Sequence, residues 1–291
     1  QVLMANGTSK SFELTEDGVV EVGLRGEPLS QPINVQNSSA SLYSFSSFTT
    51  AFILIAILLQ IFTLVDDAFG IRPAKRLLGQ SIAALAIIIL GNIYITSLQI
   101  SILGISLHLG YWGIPFTVVA VVGMTNAFNM IDGINGLCAG LALVAIGALQ
   151  FASGFNVSNY SLVIAMGSII GFLFYNLGFL GNKRRVFLGD NGSTFLGFFV
   201  AWTCINYSQV ESSLIMPVTC LWIVAIPLLD CIGVMSHRII QGVLPFDAGR
   251  DHIHHKLQAY LGSSSKTLIC LCGMGVLLAS IGIMIEKTTQ S

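Results

Sequence analysis

The feature of this sequence that most restricts its fold is the absence of charge from two long stretches. Residues 77–131 and 133–182 contain no Asp, Glu, Lys or Arg, and only Asp132 separates them. A helix at the surface of a soluble domain needs a polar or charged face, and soluble domains carry roughly 25% charged residues. This chain of 291 residues carries 9% and is 54% hydrophobic. Most of it is therefore predicted to lie in a membrane.

Apolar runs of the right length occur eight times. A spanning helix needs ~20 predominantly apolar residues, and we predict spans at about 46–65, 77–97, 113–131, 136–152, 160–180, 192–209, 214–235 and 266–285. The predicted fold class is an all-α, polytopic membrane helix bundle with about eight transmembrane helices. A polar, extracytoplasmic N-terminal tail is expected over 1–45, a transmembrane domain over 46–285 and a C-terminal tail over 286–291.

The basic residues predict how these spans are oriented, because cytosolic loops are enriched in Lys and Arg. Ten of the thirteen basic residues lie in alternate loops, as Arg72, Lys75, Arg76, Lys183, Arg184, Arg185, Arg238, Arg250, Lys256 and Lys266. The opposite loops, at about 98–112, 153–159 and 210–213, carry none. The first set is therefore expected to be cytosolic, which places both termini outside.

The remaining composition gives few signs of function. The formal net charge is −1, so no overall field points to nucleic acid. All six cysteines lie in apolar stretches without the spacing of a zinc or haem site, and we interpret them as small buried hydrophobes. Alternation around 19–22 favours a small hairpin in the tail. Because the chain starts at Gln1, processing or an incomplete N-terminus is left open.

Acidic residues stand out against this background, because ionisable groups at membrane depth are costly and are functional by default. Asp66 and Asp67 end the first predicted span. Adjacent carboxylates repel each other and are usually tolerated when a cation or a shared proton relieves them. The alternative is a solvated helix end.

A second cluster runs from Asn126 to Leu137. Asn126, Asn129 and Asp132 are three residues apart and share one broad helical face. Gly133 and Gly136 permit close approach of the backbone to a ligand, and Asn135 lies between them. Amides and a carboxylate on one face suit a nucleobase, a ribose or a sugar. The alternative is a polar contact between helices.

Two further clusters suit phosphate. Asp190 follows Phe187 at the predicted start of a span, where bare backbone N–H groups favour anions and a carboxylate suits Mg²⁺; the alternative is a helix cap.

The last cytosolic loop contains Arg250, His252, His254 and His255, which suggest phosphate binding, with zinc a weaker interpretation. The role of Asp230, near the predicted kink at Pro227, is left open. Together the clusters indicate phosphoryl transfer, which is mostly positioning and charge neutralisation.

These motifs resemble those of the polyprenyl-phosphate N-acetylhexosamine-1-phosphate transferases, most closely the bacterial branch that transfers GlcNAc-1-phosphate to undecaprenyl phosphate. The resemblance covers about residues 46–285 and rests on the pair at 66–67, on 126–137, on 187–193 and on 252–255. It implies an Mg²⁺- or Mn²⁺-dependent enzyme of a bacterial inner membrane, with its site on the cytosolic face. The lipid phosphate attacks the β-phosphate of a UDP-N-acetylhexosamine and UMP leaves. This is the first membrane step of cell-surface polysaccharide synthesis, such as O-antigen of lipopolysaccharide.

The resemblance also implies roles for individual residues. Asp190 is the expected metal ligand, helped by Asp67, while Asp66 and Asp67 orient or deprotonate the lipid phosphate. A phosphate monoester has a second pKa near 6, so positioning is favoured over general-base catalysis. Asp132 joins this pair in the expected catalytic set. The expected substrate-binding set is Asn126, Asn129, Asn135, Phe187 (on uracil), Arg250, His252, His254 and His255.

The sequence departs from the family pattern in three places. Asn135 stands where the family often has Asp, residues 1–45 offer no counterpart of the first two spans and their basic loop, and one span rather than more follows the histidines. The alternatives are therefore transfer of phospho-MurNAc-pentapeptide or another sugar phosphate, an inactive truncated homologue, and an ion-coupled transporter. A transporter predicts an internal repeat and acids at the bilayer midplane, and the sequence shows neither. A homodimer is left open.

Overall fold

The computed structural model describes residues 2–3, 9–15, 18–22, 35–100, 105–154, 160–209, 215–242 and 251–290. The chain divides into two compact units, Gln1–Leu54 and Ile55–Ser291. The first unit contains strands β1 (Val2–Leu3), β2 (Ser9–Thr15) and β3 (Gly18–Val22) in the order β1-β2-β3. Strand β2 pairs antiparallel with β3, from Ser11 opposite Val22 to Thr15 opposite Gly18. The expected hairpin is therefore confirmed.

Helices form nearly all of the second unit. Helix α1 (Val35–Phe69) begins in the first unit and ends in the second, and is followed by α2 (Pro73–Gly91), α3 (Gly113–Ile131), α4 (Leu137–Ala152), α5 (Tyr160–Asn176), α6 (Gly189–Gln209), α7 (Pro217–Ile223), α8 (Ala225–Ile240), α9 (Ile253–Leu261) and α10 (Ser264–Gln290). Strands β4 (Ser97–Ile100) and β5 (Ile105–His108) form a short antiparallel hairpin between α2 and α3. The all-α fold class is confirmed.

Every predicted span coincides with a helix, but the count of eight spans is not confirmed. Within the described ranges, four helical segments are long and apolar enough to cross a membrane: Phe52–Phe69, Pro73–Gly91, Gly110–Ile131 and Ser264–Thr289. The bent pair α7–α8 brings the number to five if it forms one span. Helix α4 and the segment Ser161–Asn176 are apolar but shorter. Helix α6 has polar residues at both ends, which lowers its mean hydropathy. The orientation of the spans stays a prediction.

The predicted kink near Pro227 is present, but it lies earlier in the chain. Helices α7 and α8 meet at an angle of 81°, and Val224 separates them. Pro227 is the third residue of α8, a position where a helix needs no backbone N–H. Proline is therefore accommodated just after the break, and the regular hydrogen bonding of α8 starts from the carbonyl of Val224.

Helix α3 organises the second unit by packing against α2, α6 and α8. Its contact with α6 is unusually close at Gly197. A Cβ built on Gly197 would lie 2.8 Å from Cα of Thr125 and 2.9 Å from Cβ of Phe128. Only glycine permits this approach, which is typical of helices packed through small residues in membranes. The close approach brings the last turn of α3 beside the first turn of α6.

Candidate active site

Four helix ends meet around a small cleft in the second unit. The cleft lies between the end of α1, the start of α2, the end of α3 and the start of α6. Its lining residues are Phe62, Thr63, Asp66, Arg76, Gln80, Asn129, Asp190 and Thr194. Three of the predicted site residues, Asp66, Asn129 and Asp190, are therefore brought together by the fold.

The two adjacent carboxylates at the end of α1 have different environments. Asp66 is buried at 3% exposure. One of its oxygens accepts the N–H of Ile71 at 2.9 Å, and the other lies 2.6 Å from Nε of Arg76. Asp67 is exposed. Asp66 is therefore held by the turn between α1 and α2, while Asp67 is available to a ligand.

Arg76 connects the first and third acidic motifs, although its position in the sequence indicates only a loop charge. Besides its ion pair with Asp66, it lies 3.9 Å from the carboxylate of Asp190 through Nη1. The Asp190 side chain is 55% exposed, at the second position of α6. A basic residue in the first turn of α2, directly after the acidic end of α1, was the available sequence signal.

Asp132 adds a fourth carboxyl group to this region. It follows the last residue of α3 and is partly buried. Burial, and secondarily the negative charge of Asp190, raise the pKa of Asp132 to about 6. The charges of Asp190 and Asp66 also act on Asp67. Asp66, Asp67, Asp132 and Asp190 therefore form an acidic cluster, with Arg76 as the cation paired to it in the described part of the chain.

The amides of α3 tie the cleft together. Asn126 donates to the carbonyl oxygen of the Gln80 side chain at 2.6 Å and to the backbone of Val122 at 2.7 Å. Asn129 donates to Oγ of Ser193 at 3.0 Å. Asn126 therefore makes the polar contact between helices that was its alternative interpretation, and Asn129 joins α3 to α6 while also lining the cleft. Substrate binding by either residue stays a prediction.

The histidine loop packs on the glycine-containing loop after α3. His254 is 1% exposed, and a Cβ built on Gly133 would collide with its Nε2. In the described ranges neither ring nitrogen of His254 has a hydrogen-bond partner. Burial, aided by the charge of His255, lowers the pKa of His254 to about 4. The structure thus joins the second and fourth sequence motifs, with Gly133 as the residue that makes room.

The three histidines form a row of rings. The ring centroids of His252 and His254 are 5.7 Å apart and nearly parallel, and those of His254 and His255 are 4.2 Å apart. Asp230, whose role the sequence left open, accepts hydrogen bonds from Ile253 N at 2.7 Å and binds Nδ1 of His252 at 2.9 Å. The fold therefore connects Asp230 on α8 to this row.

Of the other predicted site residues, Phe187 and Asn135 are not among the residues that line the cleft. Phe187 is 74% exposed just before α6, and the neighbouring Val186 carbonyl accepts a hydrogen bond from Asn176 at 2.8 Å. Asn135 lies half-buried in the loop between α3 and α4. Arg250 lies outside the described residues.

The acidic cluster fits a magnesium ion that is bound partly by the protein and partly by the substrate. Among the described residues no three His, Cys, Asp or Glu side chains converge to hold a metal by themselves. Mg²⁺ is usually bound by one or two carboxylates together with water and substrate phosphates. The exposed Asp67 and Asp190 suit that pattern.

Comparison with known proteins places the chain in a family. A family profile described as "Glycosyl transferase family 4" matches residues 49–208, just over half of the chain. A protein of Escherichia coli O157:H7, "Undecaprenyl-phosphate alpha-N-acetylglucosaminyl 1-phosphate transferase", is 37% identical over 226 residues, 76% of this chain and 61% of the relative. Proteins with the same name from Yersinia pestis and Haemophilus influenzae are 36% and 38% identical, over 77% and 84% of this chain.

These matches cover the relatives incompletely. The chain spans 61% of the Escherichia coli protein and 62% of the Yersinia pestis protein, but 68% of the Haemophilus influenzae protein. The matched family segment contains the acidic cluster, both amides of α3 and Phe187. With a family profile over more than half of its length and a 38% identical relative over most of it, this chain belongs to glycosyl transferase family 4.

Proposed function

We propose that this protein transfers N-acetylglucosamine 1-phosphate from UDP-N-acetylglucosamine to undecaprenyl phosphate and releases UMP. The observation that carries the proposal is the meeting of Asp66 and Asp190 with Arg76 in a cleft at the ends of four helices. The charge of Asp190 also acts on Asp67 and on Asp132. The names of its relatives, transferases of this sugar phosphate to this lipid, support the choice of substrates.

The reaction balances as a simple displacement at phosphorus. An oxygen of the lipid phosphate forms a bond to the β-phosphorus of the UDP-sugar, and the bond from that phosphorus to the bridging oxygen breaks, so the electron pair leaves with UMP. The lipid phosphate, with a second pKa near 6, is largely ionised at neutral pH. The protein therefore has mainly to position two anions in line and to offset their charge.

The described residues suit this task in different ways. Arg76, already aligned by Asp66, presents a guanidinium at the cleft, which is the geometry that binds phosphate oxygens well. Phe187 is exposed just before the first turn of α6, and its ring is suited to stacking on a flat base. Asp132, with its pKa near 6, can hold or release a proton close to neutral pH. Asn129 and Ser193 fix the distance between α3 and α6.

We also propose that Mg²⁺ or Mn²⁺ is required, with Asp190 and Asp67 as its protein ligands. The support is the pair of exposed carboxylates beside a cleft proposed to bind a diphosphate, which is how proteins commonly hold Mg²⁺. When bound, the ion would offset negative charge on the diphosphate and on the departing UMP. Asp66, which is buried and paired with Arg76, is then left as an orienting residue.

The transfer is tested with radiolabelled UDP-N-acetylglucosamine and undecaprenyl phosphate in membranes that contain the protein. Label should enter the lipid fraction only with Mg²⁺ or Mn²⁺ present. Asp190→Asn should reduce transfer by at least ~100-fold, because a direct metal ligand is lost. Glu286→Gln, which alters a carboxylate on α10 that accepts the N–H of Met216, serves as the control and should retain transfer. Normal transfer by Asp190→Asn would refute the metal assignment.

The identity of the sugar is best tested by isotope exchange between UMP and several UDP-sugars. Undecaprenyl phosphate must be present, because UMP re-enters the donor only when the displacement runs in reverse. With the acceptor held constant, the exchange rates of different UDP-sugars compare the donors without isolation of a lipid-linked product. We expect UDP-N-acetylglucosamine to exchange fastest. Faster exchange with UDP-MurNAc-pentapeptide would assign the chain to the sibling reaction, and absence of exchange with every donor would contradict the proposed function.

We further propose that the protein lies in a bacterial inner membrane with the cleft facing the cytosol. The support is the asymmetric distribution of Lys and Arg, ten of which lie in loops on the predicted cleft side. UDP-sugars are cytosolic metabolites, so a site on this face would meet its donor directly.

A further inference from the structure

The carboxylate of Asp230 is used in an unusual way for a residue in the middle of an apolar helix. It lies on α8 and is 8% exposed. Its Oδ1 accepts the backbone N–H of Ile253, the first residue of α9, at 2.7 Å. Its Oδ2 lies 2.9 Å from Nδ1 of His252. One side chain therefore both caps the start of α9 and grips the histidine that precedes it.

A second contact fixes the same short segment. Arg238 lies eight residues after Asp230, about two turns further along the same side of α8. It is 4% exposed, and its guanidinium lies 3.6 Å from the carboxylate of Asp251. Three consecutive residues, Asp251, His252 and Ile253, are thus held by two charged side chains of one helix. Among the described residues, α8 positions the start of the histidine row.

Capping alone does not require a buried carboxylate. Serine, threonine or asparagine caps a helix about as well as aspartate, and burying a charge without a partner is costly. A carboxylate has a specific effect on imidazole: it fixes Nδ1 as the protonated nitrogen and raises the basicity of the ring. Nε2 then becomes the nitrogen that can bind or exchange a proton with another group.

We propose that Asp230 is a positioning residue, which holds His252 through Nδ1 so that its Nε2 is directed to the phosphates of the UDP-sugar. The inference rests on the proposed function for the identity of the ligand, and on the two hydrogen bonds of Asp230 for the geometry. Through the parallel rings of His252 and His254, and the contact of His254 with Gly133, the same carboxylate also sets the position of the row against the loop after α3.

A double-mutant cycle tests whether Asp230 acts through His252. Asp230→Asn retains one side-chain oxygen, which can still accept the N–H of Ile253. The second oxygen is replaced by an NH₂ group, which cannot accept a hydrogen bond from Nδ1 of His252. It should lower kcat/KM for the UDP-sugar by ~10- to 100-fold, the loss typical when the partner of a functional histidine is removed. His252→Gln should cause a similar loss. Because both changes break one unit, the double variant should be no worse than His252→Gln alone.

Two results of the cycle would overturn the proposal. If the losses of Asp230→Asn and His252→Gln multiply, the carboxylate acts independently of the histidine. If Asp230→Asn retains wild-type kcat/KM, it has no positioning role. Glu286→Gln is the matched control, because Glu286 is also a buried carboxylate that accepts a backbone N–H at the start of a helix, from Met216. It should leave kcat/KM unchanged.

A spectroscopic measurement separates this proposal from the proposed function. The chain has five histidines, so ¹⁵N-histidine NMR of the protein in lipid nanodiscs can identify His252 by its disappearance in His252→Gln. Wild type should show Nδ1 of His252 protonated, and Asp230→Asn should shift the proton to Nε2. An unchanged tautomer would overturn the positioning role. If wild type transfers no sugar phosphate, the proposed function fails, and the tautomer alone decides the role of Asp230.

Discussion

At the scale of single residues, neighbours in sequence differ sharply in what they do. Asp66 and Asp67 are adjacent on α1, yet one is buried in an ion pair with Arg76 and the other is exposed. Successive residues on a helix point about 100° apart, so a helix end that borders a cleft can turn one carboxylate inward and the next one outward. A shared motif therefore contains two separate tasks.

The buried His254 is expected to make the stability of the protein depend on pH. The pKa of His254 is lowered from 6.5 to about 4, so the folded protein binds a proton there less readily than the unfolded chain. Its contribution to stability is present above pH ~6.5 and is lost as the pH falls toward 4. The melting temperature of wild type should therefore fall more steeply over this range than that of His254→Gln.

The comparison with the variant is needed because Asp132 acts in the opposite direction. Its raised pKa, about 6, means that its protonation favours the folded state as the pH falls from 6 toward 4. That contribution is common to wild type and His254→Gln and cancels in the difference between their curves. Parallel melting curves for the two proteins would show that His254 is not the group responsible.

The limits of sequence reasoning are also visible at this scale. Asp66, Asp132 and Asp190 could be singled out because each stands in a nearly charge-free background. Their partners are harder to identify: Arg76 follows the acidic end of α1, but its ion pairs with Asp66 and Asp190 form only when α1, α2 and α6 pack together. The role of Asp230 does not follow from the sequence, since its partners lie 22 and 23 residues away.

At the scale of elements, the site depends on how closely α3 and α6 approach. Gly197 allows this contact, and the hydrogen bond from Asn129 to Ser193 closes it at the cleft end. The sequence predicted α3 and α4 almost to the residue because neither contains a charged residue. It placed the start of α2 four residues late, since the first turn contains Lys75 and Arg76, and hydropathy alone does not recognise Pro73 as a first helical residue.

Gly197→Ala should separate these two helices. The added methyl group would lie 2.8 Å from the backbone of Thr125, so the helices must shift, at a cost of about 1–3 kcal/mol in stability. Transfer activity should fall as well, because Asn129 and Asp190 lie on opposite sides of the shifted contact. Thermal unfolding in detergent and the lipid transfer assay measure the two effects.

Gly123→Ala is the control for that substitution. Gly123 also lies on α3, but a Cβ there would meet nothing within 4 Å. Alanine has the higher helix propensity, so this variant should be neutral or more stable by up to ~1 kcal/mol. Equal losses in both variants would mean that the contact between α3 and α6 does not limit stability or activity.

At the scale of the whole molecule, the sequence predicted where helices lie better than how many cross the membrane. Hydropathy located helices in all eight ranges, but within the part of the chain that the structure describes, length and composition support four or five spans. Helices α7 and α8 meet at 81°, and they pack against α10 and α3 respectively, contacts that no local pattern encodes. The site residues lie between residues 66 and 254, so they come together only when the helices that carry them pack against one another.

The orientation of the molecule can be tested by labelling introduced cysteines with a membrane-impermeant maleimide. Tyr111 and Lys183 are exposed positions on the two predicted sides. In spheroplasts Tyr111→Cys should be labelled directly, while Lys183→Cys should be labelled only after the membrane is opened. The unsubstituted protein controls for reaction of the six native cysteines, and the reverse pattern would place the cleft outside.

The acidic cluster has a consequence for the order of events in the cleft. Asp66 and Asp190 lie beside Arg76, and Asp67 and Asp132 interact with Asp190. This part of the protein therefore has a surplus of negative charge, and both proposed substrates are anions. Like charges repel, so a site of this kind disfavours the anions that it is proposed to join. Binding would then depend on cations that arrive with the diphosphate or before it. Such a site would disfavour either anion alone and would bind it together with a cation that offsets its charge.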